Sequence, residues 1–232
     1  DELFFFKRHI VYLMLSAIAM LVTFLTPSTF WSKYSRLWML ASVVLLVLVL
    51  IPGIGRELNG SRRWLALGGF TIQVSELVKV ATIVFLATYL QQYRETLGEG
   101  WEHFGKLMVL IGLLTILLIR EPDFGSVVVL GGTFMAMLFL GGAKLRQYIF
   151  LIAICAAVLW WLKDSSPYRM ARITAYLDPW SDQFNSGYQL TQSLIAFGRG
   201  EWFGVGLGQS VQKMLYLPEA HTDFVFAIFA EE

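Results

Sequence analysis

Two carboxylates, Asp178 and Asp182, flank Pro179-Trp180 in a polar stretch of an otherwise apolar sequence. A carboxylate in such a place can take a proton from a hydroxyl as that hydroxyl attacks, and either aspartate could do so. The plainer use of a loop aspartate is an Asx-turn or a helix cap. Cations stand elsewhere. Arg63 adjoins Trp64, and a guanidinium offers phosphate two parallel donors. The same two residues also suit an interfacial anchor, with arginine on headgroups and tryptophan in the aromatic belt. Glu76 and Lys79, three residues apart, share a helical face. Ionisable groups inside an apolar helix face a partner or a cavity. They either line a site, with Lys79 open to an anion, or form a structural ion pair. In Glu121-Pro-Asp-Phe-Gly125, Pro122 stops one helix and Asp123 can cap the next.

Other patterns lead to less. Gly204-Val-Gly-Leu-Gly208 follows no strand, so a dinucleotide loop is excluded and a turn is expected. His221 lies near Glu219 and Asp223, but the chain has three histidines and no ligand spacing. Hydrogen bonds that fix the end of the loop are expected there, rather than a metal cage. Cys155, the single cysteine, sits in an apolar run and reads as a small core hydrophobe.

The elements that must hold these groups are membrane helices. The 232 residues are 56% hydrophobic and 15% charged, outside the range of a soluble domain. Apolar runs fall at His9–Pro27, Leu37–Ile51, Ile72–Gln91, Lys106–Ile119, Gly125–Gly142 and Gln147–Lys163, and another begins at Thr222. Pro52-Gly53 and Gly141-Gly142 are expected terminators. The fourth run is short and predicts a helix that stops inside the protein, aiming Arg120-Glu-Pro-Asp123 at a cavity. The chain ends read as cut, with membrane segments expected beyond one or both of them. Six crossings put the polar stretch Tyr168–Asp223 on the side of the N-terminus. The Lys and Arg count on that side places it in the cytoplasm by the positive-inside rule. No basic tract points to nucleic acid.

Taken together, the motifs resemble the SEDS family (shape, elongation, division and sporulation) of bacterial membrane proteins. The resemblance rests on Gly60-Ser-Arg-Arg-Trp64, Gln73-Val-Ser-Glu-Leu-Val-Lys79, Glu121-Pro-Asp-Phe-Gly125, Pro179-Trp-Ser-Asp182 and Pro218-Glu-Ala-His-Thr-Asp-Phe224. Ser186-Gly-Tyr-Gln-Leu-Thr-Gln-Ser193 and Ala196-Phe-Gly-Arg-Gly200 favour its cell-division branch. The resemblance implies an all-α polytopic membrane bundle with ten helices in the full protein. Residues 1–232 would form a single membrane domain lacking the first helix and the last ones. Residues 163–221 would form a long, partly helical periplasmic loop, against the charge count.

The resemblance also implies an enzyme of the bacterial inner membrane at the division septum, a peptidoglycan glycosyltransferase that polymerises lipid II. Its partners would be a class B penicillin-binding protein, other divisome membrane proteins and membrane lipid. Asp182 matches the family's catalytic aspartate. Substrate contacts are expected at Arg63, Trp64, Glu76, Lys79 and Asp123. Further contacts are expected at Gln189, Gln192, Ser193 and His221. No tightly bound cofactor is expected beyond a divalent cation, Mg or Mn, on the diphosphate. Gln183 and Asn185 depart from the proline and glycine usual in relatives, which implies a different turn after Asp182. Two other roles fit the same residues: a lipid II flippase, or a scaffold that activates the crosslinking partner without catalysis.

Overall fold

The computed structural model describes residues 4–58, 61–67, 70–96, 101–164, 174–214 and 216–232. Asn59, Gly60, Tyr168, Arg169 and Arg172 lie outside the described residues. Two compact units divide the chain, Asp1–Ala153 and Ile154–Glu232.

The first unit is a helical bundle. Beyond Lys7, Arg8 and His9, α1 (Phe4–Leu25) is apolar all round, and none of its spanning stretch is buried, the pattern of a helix that faces lipid. It ends before Pro27, and a short α2 (Ser28–Lys33) follows. α3 (Ser35–Leu50) buries Ser35, Met39, Ser42, Leu46 and Val49, a stripe with alternating steps of four and three. That stripe packs on α4 (Val74–Gln92), which buries Val74, Ser75, Val78, Ala81 and Thr82 toward its head. Small and hydroxyl-bearing side chains let membrane helices approach closely. The Ser42 and Thr82 hydroxyls meet the need for partners by bonding back to Trp38 O at 2.8 Å and Val78 O at 2.7 Å. α5 (Glu102–Arg120) and α6 (Phe124–Leu140) complete the core, where Leu114, Leu118 and Leu130 pack against Met39, Leu46, Val49, Val74 and Val78.

α1, α4 and α5 are long and apolar enough to cross a membrane, and shorter apolar helices lie at Ser35–Leu50, Phe124–Leu140 and Leu145–Val158. The fourth apolar run therefore corrects one expectation. It is no half-crossing helix, because α5 begins at Glu102 and has 19 residues. Its polar first turn, with the Glu102–Lys106 ion pair, hid that start. The expected terminators hold: α3 stops at Leu50 and α6 at Leu140, with Gly53 at φ 92° and Gly142 at φ 81° just beyond.

Between α3 and α4 the chain forms an antiparallel sheet of β1 (Gly55–Leu58), β2 (Ser61–Leu67) and β3 (Phe70–Gln73), in that order. Gly55 pairs with Leu65, and Trp64 pairs with Gln73. A Cβ on Gly55 would lie 1.9 Å from Val49 O, so the sheet rests directly on the end of α3. The register shifts between Arg56 and Glu57, where Arg63 is the extra residue of β2, so simple strand alternation is broken at that point. Leu65 packs on the helical core, and Arg63 reaches inward to the buried Asp123.

α7 (Leu145–Asp164) runs across the division into the second unit. There the long polar stretch is partly helical, as expected. A 3₁₀ turn (Pro179–Asp182) precedes α8 (Tyr188–Gly200), and irregular turns lead to α9 (Val225–Glu231). α8 buries Thr191, Ser193, Ala196 and Gly200, and Ala196 packs with Leu217 and Ala227. Gly204, Gly206 and Gly208 all have positive φ, in keeping with a turn.

Candidate functional site

In the first unit the site grows from Asp123. This residue caps α6: its Oδ1 accepts from Ser126 N at 3.2 Å. Its Oδ2 accepts from Ser75 Oγ at 2.8 Å, Ser126 Oγ at 2.9 Å and Gln73 Nε2 at 3.1 Å. Burial alone would push this carboxyl up, but the Ser75, Ser126 and Gln73 donors together hold it below the usual aspartate range. The cap is thus also a clamp that ties β3 and the head of α4 to the head of α6. Arg63 reaches the same carboxylate from β2, with Nη1 at 3.7 Å from Oδ1.

Lys79 lies one turn along α4 from Ser75, on the same face. Its Nζ meets Glu76 Oε1 at 2.8 Å, as the spacing of three predicts. Glu76 is exposed and Lys79 is mostly covered. Trp64, paired with Arg56 on one side and Gln73 on the other, is half-buried in the sheet.

Sequence reasoning counted Glu121 among the polar groups aimed at a cavity but gave it no role of its own. Its side chain is fully buried, and neither carboxylate oxygen has a hydrogen-bond partner among the described residues. Burial pushes its carboxyl up to about 8, Asp123 adds to the rise, and Arg63 opposes it. The signal in the sequence is a second acid two residues from a helix cap, which cannot be told from a solvated turn without its neighbours.

In the second unit Asp182 closes the 3₁₀ turn. Asn185 Nδ2 donates to its Oδ1 at 2.8 Å. Ser186 Oγ and Ser186 N donate to its Oδ2 at 2.7 and 3.1 Å. The Asn185 amide first, then the Ser186 hydroxyl and N–H, hold this carboxyl below the ordinary range. A carboxylate has about four acceptor positions, so Oδ1 keeps room for one more donor. The departure at Asn185 thus has a physical meaning, since its amide grips the candidate base. α8 fixes the turn from behind: Thr191 Oγ1 donates to Pro179 O at 3.2 Å. A Cβ on Gly187 would lie 2.3 Å from Pro179 O and 3.0 Å from Asp182 O. Asp178 makes no such use of its side chain as a cap.

Gln189 is exposed at the head of α8 and Gln192 is half-buried. Ser193 is buried and donates to Leu190 O at 2.8 Å. His221 is exposed in the turns before α9, where Glu219 accepts from Thr222 at 2.7 Å. Glu231 was also passed over. It is fully buried and accepts from Ser210 Oγ at 2.5 Å, Val211 N at 3.1 Å and Gln212 N at 3.2 Å. Arg199 of α8 stands 3.7 Å from it, so Glu231 ties α8, the turn at 210–212 and α9 together. Arg63, Trp64, Glu76, Lys79 and Asp123 thus belong to the first unit; Asp182, Gln189, Gln192, Ser193 and His221 belong to the second.

The whole chain, residues 1–232, matches the FTSW_RODA_SPOVE family, described as cell cycle protein. The chain belongs to the FtsW/RodA/SpoVE family. Among relatives in that family, the probable peptidoglycan glycosyltransferase FtsW of Legionella pneumophila is 56% identical over 228 residues, covering 98% of this chain and 58% of that protein. The FtsW of Pseudomonas fluorescens is 49% identical over all of this chain and 57% of its own length. The chain therefore spans somewhat over half the length of these FtsW/RodA/SpoVE relatives. A chain from a peptidoglycan synthase complex, solved to show how polymerisation and crosslinking are coordinated, aligns with a TM-score of 0.70 at 26% identity. That alignment covers 98% of this chain and 62% of the other. The rod shape determining protein RodA of Thermus thermophilus aligns over 61% of this chain and 46% of its own, at TM-score 0.50 and 28% identity.

Proposed function

We propose that this chain carries the glycan-polymerising chemistry of septal peptidoglycan synthesis, acting on lipid II. The observation that carries the reading is Asp182: a carboxylate kept ionised by three donors, with acceptor room left on Oδ1. In the reaction the 4-hydroxyl of the acceptor N-acetylglucosamine attacks the α-anomeric carbon of the donor. The bond from that carbon to the diphosphate oxygen breaks, and a β-1,4 linkage forms with inversion. The hydroxyl proton passes to Asp182, and the polyprenyl diphosphate leaves with its negative charge. A positioned base contributes about 10²–10⁴-fold in rate. The low basicity of Asp182 suits a proton that transfers late, as the attacking oxygen becomes acidic.

Charge on the leaving diphosphate falls to Arg63 and Lys79. Support comes from Arg63 itself: Asp123 holds it only at 3.7 Å, and its Nε has no partner among the described residues. Trp64, Glu76, Gln189, Gln192, Ser193 and His221 are proposed to shape the contacts with the sugars and the lipid. Among the described residues no three His, Cys, Asp or Glu side chains converge on one point. A divalent cation, Mg or Mn, enters this proposal as part of the diphosphate substrate. The proposal extends to an inner-membrane protein with a periplasmic catalytic loop. Its partners are a class B penicillin-binding protein and other divisome proteins. Support for the first partner is the similar chain found in a synthase complex.

The test is glycan polymerisation by the full-length protein with its partner and supplied lipid II. Asp182→Ala and Asp182→Asn are expected to abolish polymer while the protein stays folded in detergent. Asp178→Ala is expected to be mild. Undiminished polymer from Asp182→Ala would remove Asp182 from the chemistry. Headgroup translocation without any polymer from wild type would favour the flippase.

A further inference from the structure

We propose that Glu121 is a positioning residue for Arg63, an internal rival to an anionic ligand for the same guanidinium. The inference rests on the reading of Arg63 as a diphosphate contact and adds a control to it.

The geometry comes first. Glu121 follows α5 directly, is fully buried, and has both oxygens unpartnered among the described residues. Arg63 Nε is likewise buried without a partner. Asp123 leaves both groups unmet: as an acceptor it offers the Glu121 oxygens no donor, and it meets Arg63 loosely through Nη1 rather than Nε. Its Oδ2 already accepts from Gln73, Ser75 and Ser126, and its Oδ1 serves the N-terminus of α6. The looser 3.7 Å contact is what remains for Arg63.

Two charged groups act on Glu121: Asp123 from the head of α6 and Arg63 from β2. β3 and α4 bring the neutral Gln73 and Ser75 to the same cluster, and Arg120 on the end of α5 is exposed. A buried carboxylate without a partner is unstable in its ionised form. It either stays protonated or draws in a cation, and Arg63 is the cation whose field it feels. Protonated Glu121 leaves Arg63 free to turn toward a diphosphate. Ionised Glu121 holds Arg63 back.

The sign follows from the raised pKa. Burial pushes Glu121 to about 8, so it is neutral below that pH and ionised above it. Affinity for a diphosphate through Arg63 should therefore fall as pH rises through this range. Linkage requires the converse: binding the diphosphate takes up a proton at Glu121.

The experiment measures binding of undecaprenyl diphosphate to the full-length protein at pH 7 and pH 9. If only the protonated form binds, the apparent Kd follows its population, and wild type should weaken about tenfold over that interval. Glu121→Gln, locked neutral, should change by no more than about twofold. Arg63→Gln should bind weakly at both values. Equal pH dependence in wild type and Glu121→Gln would overturn the inference and leave the Arg63 reading standing. Unimpaired binding by Arg63→Gln at pH 7 would overturn that reading and the inference together. Glu121→Met provides the same comparison if the glutamine variant folds poorly.

Discussion

At the scale of single residues, the candidate base is defined by its donors. Asn185 and Ser186 depress the Asp182 pKa, so the ionised form persists through the ordinary aspartate range and is lost only as pH falls below it. Activity limited by this group should hold on its acid side accordingly. Asn185→Gly removes the donor to Oδ1, and the acid limb of the rate profile should then move to higher pH. An unmoved limb would show that the amide does not tune the base. This contact was beyond the reach of the sequence. The motif around Asp182 could be matched, and Asn185 could be seen to differ, but which atom it touches depends on how the 3₁₀ turn folds back. Glu121 was hidden for a related reason: a glutamate in a turn has the same letter whether it is solvated or sealed.

At the scale of elements, Asp123 does the work of a joint. Asp123→Ala removes an N-cap, which costs about 0.5–2 kcal/mol. It also strands the Ser75 donor in a buried place, adding about 1–3 kcal/mol. The full-length protein should lose thermal stability well beyond the effect of Glu57→Ala. That variant breaks only the exposed Glu57–Arg62 pair, worth about 0–1 kcal/mol. A comparable loss for both variants in detergent melts would dismiss the joint. The helices themselves were legible, because a crossing needs about 20 apolar residues in a row. The sheet was not, since its strands are short, β2 carries two adjacent arginines, and glycines crowd the sequence between the strands. α2 was missed because six residues between Pro27 and the next helix carry no periodic signal. The expectation of a short fourth helix failed because a charged first turn resembles a loop.

At the scale of the molecule, the proposed topology is open to labelling. In a Cys155→Ala background, Phe184→Cys should react with a membrane-impermeant maleimide added outside the cell. Lys33→Cys should be protected. The reverse pattern would restore the cytoplasmic placement given by the charge count. Within the second unit, the Pro179–Asp182 turn lies so close to Gly187 that the first atom of any larger side chain would overlap backbone, at 2.3 Å from Pro179 O. The aim of the carboxylate is therefore set from behind by a hydrogen atom. A library at position 187, selected for growth, should return glycine alone, even though the residue has no side chain and bears no charge.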